Sequence, residues 1–230
     1  MRRQLWMALC SLAFAGCATG SSPDRPDPTM TSHFDAAAGV HTAVILGDLD
    51  GVRTPAGWLA EHAPPDLPEG SEAFVAELQK YAARAADARN LEDAAYATGR
   101  IAQACGECHQ AYVRGPVPVL PPGAASGDDV AAHMVGHAWA VRRMWEGLVV
   151  PADESWMAGA RALECQRLPP EAVAADDLEA ADYLEKRCHG LGSRAQLVSG
   201  ASARARIYGE LIATCADCHQ RLGRKIAVVW

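Results

Sequence analysis

Cys105-Gly106-Glu107-Cys108-His109 and Cys215-Ala216-Asp217-Cys218-His219 both read C-x-x-C-H, the spacing of covalent c-type haem attachment. Two thiols about one helical turn apart can add to the two vinyl groups on one porphyrin edge. The His directly after the second Cys then lies under the iron as proximal ligand. The flanks of the two copies agree: Glu107 and Asp217 precede the second Cys, and Gln110 and Gln220 follow the His. Three other readings compete: a thioredoxin-like pair, half a zinc site, and chance. A thioredoxin-like pair wants C-x-x-C at the start of a helix that follows a strand, whereas both copies come late in Ala-rich helical segments. A zinc site needs the two pairs to converge and has no use for a His after each. Two copies, both with His, in an exported chain favour two covalent haem groups. Cys105, Cys108, Cys215 and Cys218 would hold them, with His109 and His219 as proximal iron ligands.

Export is read from the other end of the chain. Residues 1–16 form a targeting segment: Arg2 and Arg3 are its positive region and Leu5 to Ala15 its short apolar run. Phe14-Ala15-Gly16-Cys17 resembles a bacterial lipobox, with Phe14 where Leu is usual. That resemblance implies that Cys17 is lipidated and becomes the mature N-terminus, and several acyl chains on one Cys would anchor the protein stably. Ordinary cleavage to a soluble periplasmic protein is the competing reading. Ala18, in place of the Asp that commonly retains bacterial lipoproteins at the inner membrane, favours the outer membrane. Residues 17–31 are polar, Pro-rich and without periodicity, which reads as a flexible tether. No other apolar run approaches the ~20 residues that span a bilayer.

Cleavage before Cys17 removes Arg2 and Arg3 and no acid, taking the net charge from −7 to −9. An acidic chain argues against nucleic acid as a partner. It favours neutral or basic redox proteins, with the membrane reached through the lipid.

The two motifs lie 110 residues apart, and the chain before each looks alike. His33-Phe34 and His133-Met134 open apolar segments, and Trp58-Leu59-Ala60 and Trp156-Met157-Ala158 follow at similar distance. The Pro/Gly-rich residues 116–126 cannot continue a helix and read as a linker. The expected organisation is therefore haem domain 1 over 32–115 and haem domain 2 over 127–230. Ala dominates and strand-like alternation is missing, so the fold class is all-α: two tandem four-helix bundles, each with a c-type haem on its last helix. The helices are expected near 32–48, 54–62, 70–89 and 91–113, then 127–148, 153–166, 170–197 and 201–222, with Thr54-Pro55, Asp153 and Pro170 as start signals.

A late C-x-x-C-H on the last helix of a four-helix bundle resembles the class II cytochromes c, the cytochrome c-prime family, an architecture general treatments already list among up-down bundles. The resemblance rests on Cys105, Cys108, His109, Cys215, Cys218, His219 and the placement of the first helix. It covers nearly all the mature chain, once per half, and the tandem anchored arrangement departs from the usual single domain. It implies that the first helix of each half supplies the face opposite the proximal His. A ligand there gives electron transfer, and an open apolar pocket gives binding of small gases. Aligning the first helices pairs His33 with His133, Ala37 with His137 and Val44 with Met144. Only His33 and His133 place a competent distal ligand in both halves; Met30, Met134 and His137 are the alternatives. His41 reads as a partly exposed or core-edge residue, and His62 as a solvated loop residue.

Two cysteines are left, Cys165 and Cys188, and in an oxidising compartment they suggest a disulfide. The expected function is a periplasmic, membrane-anchored dihaem cytochrome that transfers single electrons and is no catalyst. Binding of nitric oxide or carbon monoxide is the alternative. A dihaem peroxidase is less favoured, because no second acid–base constellation accompanies the motifs.

Overall fold

A computed structural model describes residues 29–65, 67–112, 129–164, 168–169 and 173–222. The targeting segment with Cys17, most of the tether, the 116–126 linker and Cys165 lie outside the described residues. Among those residues the chain is all-helical, with eight α-helices, one 3₁₀ turn and no strand. No described helix is long and apolar enough to cross a membrane.

The helices are α1 (Met30–Ile45), α2 (Leu49–Glu61), α3 (Glu72–Ala86), α4 (Leu91–Tyr112), α5 (Val130–Val149), α6 (Asp153–Glu164), α7 (Leu178–Gln196) and α8 (Ala201–Leu222). Short polar side chains set the starts of α1, α2 and α5 by satisfying free N–H groups. Thr29 and Ser32 form a reciprocal capping box on α1. Asp129 accepts from the Ala132 N–H of α5 at 2.8 Å. Asp48 accepts from the Gly51 N–H at 2.9 Å, which starts α2 well before Thr54-Pro55. Pro55 therefore lies inside α2, with its ring beside Gly39 of α1, where an added Cβ would meet it at 3.5 Å. The expected start at Pro170 is also displaced: α7 begins at Leu178, after the 3₁₀ turn Ala175–Asp177.

Within each half the helices pack in chain order, α1 on α2 on α3 on α4 and α5 on α6 on α7 on α8. The halves are not separate bodies. α4 packs along α8, α4 also meets α5, and α1 meets α8. One continuous apolar core runs through both, from Val40 and Leu59 to Met144, Leu163 and Ile212. The α4–α8 crossing is close because its contact residues are small. A Cβ on Gly99 would lie 2.3 Å from the Ala205 carbonyl, and one on Gly209 would lie 3.2 Å from the Ala95 carbonyl. Gly99 and Gly209, like Ala95 and Ala205, stand at the offset that separates the two motifs. The contact is reciprocal.

Candidate functional site

Both motifs occupy the last two turns of their helices, α4 and α8. At 100° per residue, Cys105, Cys108 and His109 share one face of α4, and Cys215, Cys218 and His219 share the matching face of α8. All four cysteines are partly buried and none is bridged to another cysteine. Burial pushes Cys105 up to about 12 and Cys218 up to about 11, and it also raises Cys108.

The two histidines are oriented from the opposite half of the chain. His109 Nδ1–H donates to the Val149 carbonyl at 2.7 Å. His219 Nδ1–H donates to the Ile45 carbonyl at 2.7 Å. A carbonyl only accepts, so each Nδ1 carries the proton and each Nε2 keeps a lone pair. Such a bond from the second ring nitrogen orients a metal-ligating His and raises its basicity. Val149 ends α5 and Ile45 ends α1, and both carbonyls belong to the last helical turn, which has no intrahelical acceptor role left to play. Burial lowers the pKa of His219 and the Ile45 bond partly opposes this, so the ring is neutral and able to ligate.

The sites are packed tightly by small residues. A Cβ on Gly106 would fall 2.0 Å from the Leu148 carbonyl, against the same end of α5 that holds His109. Across the molecule, Gly47 follows α1 at φ +72, where a side chain is strained and would also meet Gln220 at 2.7 Å. Gln220 Nε2 donates to the Gly47 carbonyl at 3.1 Å, tying the second motif's flank to the end of α1.

His33 and His133 are both buried near the starts of their helices, with 4% and 5% of their surface exposed. Their surroundings differ. His33 lies against Trp58, ring centroids 4.9 Å apart. Burial lowers its pKa, a backbone bond to Ala63 partly opposes this, and nearby His62 adds a smaller lowering. His133 packs on His137 at 4.2 Å. His137 Nε2 is buried without a hydrogen-bond partner, and burial pulls its pKa down to about 3, with smaller effects from His133, His189 and His219. His137 is thus close enough to His219 for their charges to interact. Cys188 on α7, the disulfide candidate, is buried beside Cys215, which raises its thiol pKa. The partner expected for it, Cys165, lies outside the described residues. Met30 is half exposed at the start of α1, and Met134 is partly buried beside His133.

The first helices differ in length by one turn. Counted from the caps Thr29 and Asp129, His33 matches His133. Counted from the carbonyls of Ile45 and Val149, His33 matches His137. Sequence alignment alone follows the first count.

Three residues sit differently from expectation. His41 is fully buried, not at the core edge: its ring stacks on Trp145 at 4.7 Å, and Nε2–H donates to the Tyr208 hydroxyl at 2.5 Å. Tyr208 in turn donates to the Val141 carbonyl at 3.2 Å. His62 is not a solvated loop residue. It caps α2, is stacked on Trp58 at 4.6 Å, and its Nδ1–H donates to the Trp58 carbonyl at 2.7 Å. Trp58 and Trp156 do not play equivalent parts, since Trp156 is fully buried with Nε1–H donating to the Ala195 carbonyl at 2.8 Å. His189, which directly follows Cys188 but has no first Cys at C-x-x-C spacing, lies 3.9 Å from Glu185 one turn before it on α7.

Among the described residues no three His, Cys, Asp or Glu side chains converge to hold a bare metal ion. A cavity of about 620 Å³ lies beside Gly106, Gln110 and Arg204, on a different face of α4 from the cysteines. No protein-family model, curated protein or solved structure matches this chain.

Proposed function

We propose that the chain is a c-type cytochrome of two haem-carrying four-helix repeats, anchored by Cys17 at a bacterial membrane and facing the periplasm. It passes single electrons between redox proteins. The observation that carries this reading is the pair of histidines directly after the two C-x-x-C pairs: each is tied through Nδ1 at 2.7 Å, which would leave its Nε2 lone pair for an iron. A disulfide-exchange pair needs neither tie. The donor set fits haem c. Cys105 and Cys108, and Cys215 and Cys218, would form the thioethers, and His109 and His219 would be the proximal ligands. When bound, haem supplies a one-electron iron centre.

The chain's residues would do the rest. Ile45 and Val149 hold the proximal rings in one tautomer and orientation. His33 is the candidate distal ligand of the first half. In the second half both His133 and His137 are candidates, and the unpartnered buried Nε2 of His137 favours His137. Bis-His ligation closes both iron faces, which suits electron transfer, and sets a lower potential than His/Met ligation. Electron paramagnetic resonance of the oxidised holoprotein tests this: low-spin signals are expected from both haems, with little carbon monoxide uptake after reduction. His33→Ala should open one haem to the gas, and His137→Ala the other. High-spin iron that takes up the gas at both haems in the wild type would replace electron transfer by gas binding.

A further inference from the structure

We infer that α1 and α5, each holding the histidine of the opposite half's motif, couple the two haem sites, so that the oxidation state of one site sets the affinity of the other for its electron. The inference rests on the two-haem reading above but needs no particular distal ligand. α1 packs within the first half, yet its last carbonyl run holds His219 of the second motif. α5 packs within the second half, yet its end holds His109 of the first. One turn before these carbonyls, at His41 and Trp145, the two helices stack ring on ring. Tyr208 pins the junction: it stacks on His41 at 5.7 Å and bridges His41 to the Val141 carbonyl. His41, Trp145 and Tyr208 are all at most 2% exposed, so the junction is packed solid and cannot absorb a shift locally.

The physical origin of the signal is the proximal hydrogen bond. An imidazole Nδ1–H is a stronger donor when its Nε2 is bound to ferric iron than to ferrous iron, because the ion withdraws more charge. Oxidation at the first motif therefore strengthens the pull of His109 on the end of α5. The stacked junction passes that pull to α1, whose end holds His219. A change in the His219 bond alters that ligand's basicity, and with it the potential at the second motif. By linkage the effect is the same in the other direction. His41, Trp145 and Tyr208 are positioning residues in this scheme, acting through the two carbonyls.

The test is a redox titration of the full holoprotein that resolves the haems by their separate resonance signals. It compares wild type with Trp145→Leu after mass spectrometry has shown two haems in each. The quantity read is the factor by which reduction of one haem changes the reduction constant of the other. Direct charge repulsion between the irons persists in the variant, whereas the mechanical share does not. The factor should be at least about fivefold larger in the wild type, the lower end of ordinary coupling. Equal factors in the two proteins overturn the inference. If Trp145→Leu does not fold, Tyr208→Phe decides, since it keeps the ring and removes the bridge. A twofold or larger fall is expected there, and no change refutes the scheme. A wild type without two haems fails the cytochrome reading instead.

Discussion

Acid should weaken this protein through its buried histidines, and for His41 the size of the effect follows from its setting. His41 is fully enclosed, and burial lowers its pKa from 6.5 to about 3. The unfolded chain takes up the proton below pH 6.5, whereas the folded chain does not until about pH 3. Stability from neutral His41 is therefore complete above pH 6.5 and is lost as pH falls from there toward 3. The whole shift amounts to about 5 kcal/mol, at 1.36 kcal/mol per unit. At pH 5 the loss is about 2 kcal/mol. Comparison with His41→Gln isolates this residue, because Gln can still donate to Tyr208 and does not titrate. Denaturant melts followed by far-ultraviolet circular dichroism at pH 7 and pH 5 should show the wild type losing about 2 kcal/mol more than the variant. Parallel losses in the two proteins would refute the placement of His41 as a neutral, enclosed ring between the halves.

Three other outcomes follow from the geometry. Gly106→Ala puts a Cβ against the Leu148 carbonyl and should cost about 1–3 kcal/mol by overpacking; the His109 ring-proton resonance should move as the end of α5 is pushed away. Residues 129–230 produced alone should be poorly folded, because Ile45 no longer holds His219 and the α4–α8 contact is lost; a native-like thermal transition in that half would contradict the shared core. Metabolic labelling with a fatty acid should mark the wild type and not Cys17→Ala, and unlabelled wild-type protein would end the anchor proposal.

Much of the helical layout is legible in the sequence, and particular residues show where legibility stops. α4 and α8 lie within a residue of their expected spans, because long Ala-rich runs leave no competing signal. α2 was expected to start at Pro55, since Pro is common at the first helical position; the Asp48 cap won, and the ring of Pro55 found room beside Gly39. The ties between the halves leave no mark in the sequence. Their acceptors are the backbone carbonyls of Ile45 and Val149, which every residue type possesses. His41 and Tyr208 are 167 positions apart, so no local pattern announces their bond. The extra turn of α5 is likewise silent: a repeat aligned from the helix starts gives His133, and one aligned from the ends gives His137. One signal was available. Gly99 and Gly209 each stand four residues after an Ala that matches across the repeat, a small-residue pattern that fits a close helix crossing but was not read as one.

The central claim is that Cys105, Cys108, Cys215 and Cys218 carry two covalent haems. Intact-mass analysis of the denatured protein, purified from cells able to attach haem c, tests it most directly. Two haem masses per chain are predicted, falling to one when Cys105 and Cys108 are replaced with Ala. A chain that carries no covalent haem would contradict the account at its root.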